Sequence, residues 1–589
     1  MKRILLTHPY GPYDLDKGQR NHLDIYESVL TRDQGPFTLN GHTHCYALYL
    51  IAENIKAHTT VMEYPYLDDF TKELKNNYDF LGIQIISHTI NKVAHMVRLA
   101  RTIAPQTKII IGGYGILSLY DPPPAETTAD AQLILREVDY ICKEEGVHFM
   151  RTLLKDEPIN RPITQMYLPW SRSFIPGAPM DINKFSYIPI LVGLGCRNGC
   201  EFCQNSAMFK RKEIKVATVE ETFKALKYTR RRSGNQPCCA YIQHDNFLQD
   251  IKFVHQLGRL IQKDKEFGLR NLSYFCYADA RSLSKYTMEE LLELGIEHIW
   301  IGVESNFNEV ITSEYRLRKR ACDDLQSIFR DLETFGIACT ASMSLGWDFH
   351  TPHNIMDDID SFIDLKPLFY QIEPLNACPG TKLYQRMKEA GRINPTLTYK
   401  DLQHGDVATF FPRNFGLNDL IDYVDLAYKK LFESNGPSIF RRIEINLNGY
   451  EMCRSSHRPL LRDEKASFFA ERCMEDYPIL EVCAMFAPSE AVWERVMRTD
   501  ERFKRFFGEP TEDQKIRSKL FCRFISERAE SKKASPKNLF DPPLRKTFYN
   551  PAVGPMPMVK KGREPGPPLP YNVCTNSFSI ETSCNNQQF

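Results

Sequence analysis

The sequence of 589 residues is too long for one ordinary core, so we expect two to four domains. Its 75 basic residues nearly cancel its 74 acidic ones, which gives no electrostatic reason to expect a nucleic acid or an anionic membrane as partner. There is no apolar run of about 18 residues, so no membrane span is predicted. The 17 scattered cysteines and an N-terminal apolar stretch too short for a secretory signal favour a reducing, cytoplasmic setting.

Residues 1–155, which we call the first region, alternate between strand-like and helix-like runs. Apolar runs at Lys2–Thr7, Phe80–Ser87 and Lys108–Ile111 predict buried strands, and Asn91–Ile103 has helical periodicity. This alternation is typical of an α/β domain of the flavodoxin or Rossmann kind, with a parallel sheet covered by helices on both faces. In such a sheet, ligands bind beyond the carboxyl ends of the strands.

Residues 156–187 hold several prolines and are predicted to be a linker between domains. From residue 188 to 394, which we call the second region, the alternation resumes. Six strand–helix units fit, which predicts a partial (β/α)6 TIM-like barrel. The predicted strands are Ile188–Leu194, Ala240–Gln243, Leu272–Tyr277, His298–Val303, Ala338–Leu345 and Phe369–Pro374.

The last third of the chain loses this alternation. Residues 395–530 have mainly helical periodicity, which is clearest at Leu420–Phe432. Residues 531–589 are rich in Pro, Lys, Asn and Ser, and this composition predicts a flexible tail.

Three cysteines lie within eight residues, directly after the first strand of the second region: Cys196, Cys200 and Cys203. Thiolates are the ligands that iron–sulfur clusters require. Three protein ligands leave one iron open, as catalytic metal sites do. Gly195 and Gly199 would let the loop wrap closely around a cluster.

Spacing alone leaves two alternatives open. A zinc site would require a fourth close ligand, and the next cysteines downstream, Cys238 and Cys239, lie far along the chain. The three thiols could also share the loop by coincidence. A second cluster in the C-terminal part is not expected, because its cysteines lack close spacing: Cys453, Cys473, Cys483 and Cys522.

The C-x3-C-x2-C spacing, with the aromatic Phe202 before the third cysteine, resembles the signature of the radical S-adenosylmethionine (SAM) superfamily. The resemblance implies that Cys196, Cys200 and Cys203 hold a [4Fe–4S] cluster whose open iron chelates SAM. It further implies reductive cleavage of SAM to methionine and a 5′-deoxyadenosyl radical. An electron donor such as flavodoxin or ferredoxin would be a partner.

Further motifs carry the same resemblance. They include His244–Phe247, Tyr277–Arg281, the G-V-E-S run at Gly302–Ser305 and the P-G-T-x-L-Y run at Pro379–Tyr384. The residues that the family pattern implies for SAM binding are Phe202, Asp245, Arg281, Glu304, Ser305 and Arg316, the last standing where many relatives have Lys. One departure is Gly346–Thr351, where relatives usually carry G-x-P-G-E-T, so the shape of this loop and substrate access beside it are open.

The order of sheet domain, linker and cysteine loop resembles the cobalamin-dependent branch of the superfamily. The resemblance implies that cobalamin binds near a hydroxyl loop with Ser87 and Thr89 and near the Gly112–Gly113 turn. His8 stands where classical cobalamin binders have a cobalt ligand, but the partner Asp of that motif is missing, so a turn residue is the favoured interpretation. The alternative is a degenerate domain used for packing or substrate contact.

The resemblance implies a cobalamin-dependent radical SAM enzyme that transfers a methyl group to an unactivated carbon of a small molecule or peptide. Two alternatives stay open: an oxidative cyclase or rearrangement enzyme without methyl transfer, and a non-catalytic cobalamin- or metal-binding protein. The helical region 395–530 is expected to be a substrate lid or recognition unit.

Overall fold

The computed structural model describes residues 1–11, 27–41, 44–165, 171–175, 186–232, 239–266, 268–307, 324–402, 407–530, 544–560 and 578–580. Within these ranges the strands form two eight-stranded sheets and one short ribbon of two strands. Many helices surround them, so the chain has a mixed α/β fold with parallel sheets, as the sequence predicts.

The strands in chain order are β1 (Arg3–Thr7), β2 (Asn40–Gly41), β3 (His58–Glu63), β4 (Phe80–Gln84), β5 (Lys108–Gly112), β6 (Tyr140–Cys142), β7 (Ser171–Phe174), β8 (Ser186–Leu191), β9 (Gly193–Leu194), β10 (Ile214–Lys215), β11 (Cys239–Gln243), β12 (Tyr274–Ala278), β13 (Ile296–Glu304), β14 (Ala338–Leu345), β15 (Phe369–Pro374), β16 (Arg545–Asn550), β17 (Gly554–Lys560) and β18 (Phe578–Ile580).

The α-helices span Glu27–Leu30, Tyr46–Glu53, Leu67–Leu74, Ile90–Ile103, Ile116–Tyr120, Thr128–Glu137, Gly146–Leu154, Gln204–Met208, Val219–Arg232, Ile251–Lys263, Gly268–Asn271, Ala280–Leu283, Met288–Glu293, Leu325–Thr334, Ile355–Ile363, Lys382–Glu389, Leu417–Asn435, Ser438–Arg454, Ala466–Asp476, Leu480–Met485, Glu490–Phe507 and Glu512–Glu530. Short 3-10 turns lie at Gly35–Phe37, Ser87–Thr89, Phe247–Gln249, Lys400–Leu402 and Tyr477–Ile479, and a π-helical turn lies at Leu460–Lys465. None of the helices in the described ranges combines the length and the apolar character that crossing a bilayer requires.

The first sheet is built around five parallel strands in the order β3-β1-β4-β5-β6. Its strands are apolar on both faces, because Leu5 and Leu81 pack into one core and Ile4 and Leu6 pack into another. Burial of both faces is what a parallel sheet covered by helices requires. The strands and the helix predicted within residues 1–155 are therefore confirmed, with bounds that differ by a few residues.

The tail adds three strands to this sheet, and the prediction of flexibility is wrong for them. Strand β16 pairs antiparallel with β3, from Arg545 opposite Glu63 to Tyr549 opposite Thr59, and β17 and β18 continue outward. The segment alternates, so Thr547 and Tyr549 are buried. The prediction missed this strand because the alternation is short and the tail as a whole is rich in Pro and Lys. Apart from Leu544 and the turn at residues 551–553, the other tail residues lie outside the described ranges.

The predicted linker also contributes to a sheet. Strand β7 pairs antiparallel with β8 and with β2 at the edge of the second sheet. The start of the linker is fixed to the first region, because the buried Arg151 guanidinium donates to the carbonyls of Ile159 and Arg161 at 2.9 and 2.6 Å.

The second sheet contains six parallel strands in sequence order, β8-β11-β12-β13-β14-β15. One face packs on helices through residues such as Ile242, Cys276 and Ile301. The opposite face meets the C-terminal helices, where Trp300 and Phe369 share an apolar core with Phe440. The helical prediction for residues 395–530 is confirmed over the described part of that range.

Candidate functional site

A cavity of about 570 Å³ lies between the two sheets. The first region contributes helix Tyr46–Glu53, Tyr114 after β5 and the start of helix Gly146–Leu154. The second region contributes the cysteine loop (residues 195–203) and residues of one face of β8, β11, β12, β13 and β14. The cavity extends from the middle of these strands to their carboxyl ends, where ligands of parallel α/β sheets bind.

The three predicted metal ligands all line this cavity. Cys200 is buried, Cys196 and Cys203 are partly exposed, and all three are free thiols. The backbone at Gly195 and Gly199 has φ of +81° and +73°, which side chains rarely adopt. A Cβ on Gly195 would also collide with the carbonyl oxygen of Lys212. The glycines are thus required for the path of the loop.

Four contacts from different parts of the second region hold the cysteine loop. The Asp245 carboxylate accepts from the Gly195 amide at 2.6 Å, and Arg197 forms an ion pair with Glu213. The Leu383 amide, from the P-G-T-x-L-Y run, donates to the Glu201 carbonyl at 3.0 Å. The fourth contact joins Asn198 to Asp279.

Asp279 is the hub of this arrangement. Its Oδ2 accepts from the side-chain amides of Asn198 at 2.6 Å and Asn246 at 2.8 Å, and its Oδ1 accepts from the Ser282 amide at 2.6 Å. The side chain is buried, so losing these partners would leave a costly unpaired charge. Asp279 and Glu213 were not predicted from the sequence, because their partners lie far along the chain.

Burial and hydrogen bonding shift the pKa values of the ionisable groups around the cysteine loop. Burial raises the pKa of the Cys196 thiol to about 11, and the positive charge of a bound metal would favour its thiolate form. Burial also raises the pKa of Asp245, whereas the hydrogen bond to His244 lowers that of Glu213. Among the described residues, no three His, Cys, Asp or Glu side chains converge on one point as a ready-made metal site.

Glu304 lies at the carboxyl end of β13 and lines the cavity. Its φ of +64° is unusual for a residue with a side chain, and such backbone strain concentrates at functional sites. A register shift between Gly302 and Glu304 accompanies it. Ser305 is buried, and its hydroxyl accepts from the Phe307 amide at 3.1 Å rather than facing the cavity.

The loop that departs from the family pattern packs beside the cysteines. Trp347 is 1 % exposed, lies edge-on to Phe202 at 6.0 Å and stacks on Phe349 at 6.1 Å. His350 is buried against Asp358 at 2.9 Å, and Asp358 in turn accepts from the Asn306 amide. The unusual loop thus supports both the third cysteine and the turn after Glu304.

Only some of the other residues predicted to bind SAM line the cavity. Phe202 and Asp245 line the cavity together with Glu304. Arg281 is exposed on helix Ala280–Leu283 and is not among the lining residues. Arg316 lies outside the described residues.

The four residues predicted for cobalamin lie at the carboxyl edge of the first sheet but pack internally. The Ser87 hydroxyl bonds the Ser118 hydroxyl at 2.8 Å, and Thr89 donates to the Ile86 carbonyl at 2.9 Å. Gly112 lies against Cys142, and a Cβ on Gly113 would stand 2.5 Å from the Ile85 carbonyl oxygen. Their neighbours Tyr114, Glu145 and Gly146 line the cavity instead.

His8 belongs to a buried polar cluster that the sequence did not reveal. Burial lowers its pKa to about 4, and its ring lies edge-on to Tyr64 at 5.2 Å. Glu63 accepts from the Cys45 amide at 2.9 Å and pairs with His44 at 2.9 Å. Burial opposes ionisation of Glu63, but His44 and His8 hold its pKa at about 2. This cluster fixes the start of the helix Tyr46–Glu53 that borders the cavity.

No family model matches the chain. Over 374 residues it is 22% identical to bacteriochlorophyllide d C-12(1)-methyltransferase from Chlorobaculum tepidum, which covers 62% of this chain and 78% of the relative. The solved structures of the radical S-adenosylmethionine methyltransferase TsrM from Kitasatospora setae are each 12% identical. The form with cobalamin and a [4Fe-4S] cluster covers 80% of this chain and 99% of that one with a TM-score of 0.49. The form with tryptophan and a SAM analogue covers 86% and 100% with a TM-score of 0.47.

The sequence match extends beyond a single motif, since it spans more than half of the chain. The cysteine loop and the G-V-E-S run, which carry the resemblance in the sequence, meet at one cavity. Over that span the chain is therefore similar to a named methyltransferase, and the motifs that resemble those of the radical SAM superfamily lie together around the cavity.

Proposed function

We propose that the chain is a cobalamin-dependent radical SAM enzyme that transfers a methyl group to an unactivated carbon. The observation that carries this proposal is the convergence of Cys196, Cys200, Cys203 and the strained Glu304 on one cavity. Backbone strain concentrates at functional sites, and ligands of parallel sheets bind at the carboxyl ends of the strands.

The cysteine loop suits a [4Fe–4S] cluster. The thiols of Cys196, Cys200 and Cys203 would hold it, and Gly195 and Gly199 let the loop pass close to Lys212 and Arg211. When bound, the cluster supplies the electron for SAM cleavage and cobalamin supplies a methyl carrier. The loop anchors Asp245, Glu213 and Asp279 keep the thiols in place.

The SAM-binding role of the remaining residues stays part of the proposal. Glu304 would accept hydrogen bonds from ribose hydroxyls, and Phe202 and Asp245 border the same space. Ser305 would act through the backbone turn that its hydroxyl stabilises. Arg316 would pair with the SAM carboxylate, and Arg281 remains a proposed SAM contact.

For cobalamin we propose the side of the cavity formed by the first region. Tyr114, Glu145 and Gly146 border it directly. The predicted Ser87, Thr89, Gly112 and Gly113 would shape the turns behind these residues. His8 would not ligate cobalt, because its ring is enclosed by Tyr64 and the Glu63–His44 pair.

The proposed domain order is a cobalamin-binding domain (1–155), a linker (156–187), a partial barrel that carries the cluster (188–394), a helical region (395–530) and a tail (531–589). The six parallel strands of the second sheet would form that barrel. Free cysteines favour a cytoplasmic, reducing compartment. A flavodoxin or ferredoxin would then be the electron donor, and neither a nucleic acid nor a membrane is required.

Methyl transfer is favoured over cyclisation or rearrangement because the relatives that the chain resembles are named methyltransferases. The bacterial relative acts on a bacteriochlorophyllide, and one TsrM structure holds tryptophan as substrate. A small-molecule substrate is therefore proposed for this chain as well.

The test is a single-turnover assay of protein reconstituted without oxygen with iron, sulfide and cobalamin, given SAM and a chemical reductant. The proposal expects 5′-deoxyadenosine together with S-adenosylhomocysteine. Deoxyadenosine alone would support the cyclase or rearrangement alternative. A protein that binds its metal but cleaves no SAM would overturn the enzymatic proposal.

A further inference from the structure

The face of the second sheet that meets the C-terminal helices also borders the cavity, through a wall of three aromatic side chains, Tyr241, Tyr277 and Trp300. They come from the neighbouring strands β11, β12 and β13, and all three line the cavity. Tyr277 and Trp300 are register partners with ring centres 5.3 Å apart, and Tyr241 lies 5.5 Å from Tyr277. We call these three residues the ring wall.

Phe275, two residues before Tyr277 on the same face of β12, holds the ring wall in place. Phe275 stacks on Tyr241 at 4.7 Å and 13° and on Trp300 at 6.5 Å and 22°. The Trp300 indole also donates to the Ser342 hydroxyl at 3.4 Å. Rings fixed in this way lose little conformational entropy when a ligand settles on them.

The ring wall lies farther from the carboxyl ends of the strands than Glu304 and the cysteine loop do. Successive residues on one face of a strand are about 7 Å apart, so Trp300 lies two such steps below Glu304 on β13. The interiors of (β/α)-barrels are usually filled by branched aliphatic side chains. Here the rings instead border an open volume that the three cysteines share.

Charge narrows the class of ligand further. Glu145, Asp245, Asp279 and Glu304 line the cavity, whereas its described lining residues include no Lys or Arg. A phosphorylated or polyanionic substrate would meet repulsion there. Gln243 and Ser342 border the rings and offer neutral hydrogen bonds to the edge of a ligand.

We propose that the substrate is a compound with a planar aromatic or conjugated ring and no phosphate, stacked on Tyr241, Tyr277 and Trp300 of the ring wall. This inference rests on the proposed function, because it assigns the substrate class of the same enzyme. Ring–ring contacts in offset or edge geometry favour such a ligand beyond the area that it buries.

The test compares two matched probes on the reconstituted full-length protein by calorimetric titration. Naphthalene-2-carboxamide is planar, and its fully saturated decalin counterpart has the same skeleton without π-electrons. We expect the planar probe to bind about fivefold more tightly. Equal affinities, or no binding of the planar probe, would overturn the inference.

Variants locate the site. Trp300→Leu should weaken binding of the planar probe about tenfold, while Trp300→Phe keeps a ring and should stay within about threefold of the parent protein. The control Trp493→Leu, at an exposed residue of a C-terminal helix, should bind as the parent does. A loss shared by Trp493→Leu, or equal affinity of all the variants, would contradict the ring wall.

The two proposals fail separately. SAM cleavage is measured on the unmodified protein without any probe. If SAM is cleaved but the planar probe gains no affinity over the saturated one, the ring wall is refuted and the enzymatic function stands. If the planar probe binds preferentially but SAM stays intact, the binding site stands and the enzymatic function is refuted.

Discussion

The two sheets use their carboxyl edges differently. At the edge of the second sheet, Glu304 has left-handed backbone and borders an open cavity together with the three cysteines of the cysteine loop. At the edge of the first sheet, the similar turn at Gly113 closes onto the carbonyl of Ile85. A glycine turn at a strand end therefore indicates a close approach, but the partner can be the protein's own backbone as readily as a ligand.

The largest effect is expected at the cysteines of the second sheet. Replacing Cys196, Cys200 and Cys203 together with Ala should remove the iron and abolish SAM cleavage, since no thiolate remains to hold the cluster. Iron and sulfide content and 5′-deoxyadenosine formation are the measurements. Cys522→Ala, in the C-terminal helix Glu512–Glu530, is the control and should retain both. Iron bound at the parent level by the triple variant would contradict the assignment.

The next effect concerns the edge of the first sheet. Gly113→Ala should lower the free energy of unfolding by about 3 kcal/mol or more, because φ is +125° and the new Cβ would meet the Ile85 oxygen. Urea unfolding of cofactor-free protein measures it. At the control Gly391, φ is +65° with open space around, so Gly391→Ala should lose only about 1 kcal/mol.

Gly113→Ala and Gly391→Ala together test whether the turn at the edge of the first sheet serves packing or cobalamin binding. If Gly113 serves only the approach of cobalamin, Gly113→Ala would leave cofactor-free stability like that of Gly391→Ala and would reduce cobalamin affinity alone. That outcome would contradict the packing role that the structure gives to this turn.

In each region one histidine, the buried His8 and the partly buried His298, is held in its neutral form, which predicts acid lability in both regions. Burial lowers the pKa of His8, beside Glu63 and His44, to about 4, and it lowers the pKa of His298, beside Glu297 and Thr340, to about 4. The unfolded chain binds these protons first, so stability is complete above about pH 6.5 and declines as the pH falls toward 4. Each histidine contributes about 3 kcal/mol to that decline.

Unfolding free energies measured between pH 7 and pH 4 test this prediction. His8→Leu and His298→Leu should each flatten the pH dependence. The exposed His58 provides the control, and His58→Gln should keep the slope of the parent protein. Parallel slopes for all three variants would show that neither histidine is buried neutral.

The smallest effect is expected at the hub of the cysteine loop. In Asp279→Asn an amide group would face the amides of Asn198 and Asn246, so the loop would lose its anchor while the volume stays the same. Iron affinity should fall about 10- to 100-fold. Asp324→Asn is the matched control, because Asp324 also caps a helix by accepting from a serine amide. Unchanged iron affinity in Asp279→Asn would remove Asp279 from the site.

The sequence predicted local features well. Apolar runs identified the parallel strands, and close spacing identified the cysteine loop with its glycines. It missed the partners of that loop, because Asn198 and Asp279 are 81 residues apart and only the folded sheet brings them together. It also missed strand β16, since the alternation at Thr547 and Tyr549 is short within a polar tail. Local periodicity is readable from one chain, whereas long-range pairing is not.

The most direct test of the central claim is the electron paramagnetic resonance spectrum of the protein, reconstituted and reduced without oxygen, before and after SAM is added. We predict the signal of a reduced [4Fe–4S] cluster with an open iron, changed in shape when SAM binds and absent from the triple cysteine variant. A spectrum that SAM leaves unchanged, or protein that carries zinc in place of iron, would contradict it.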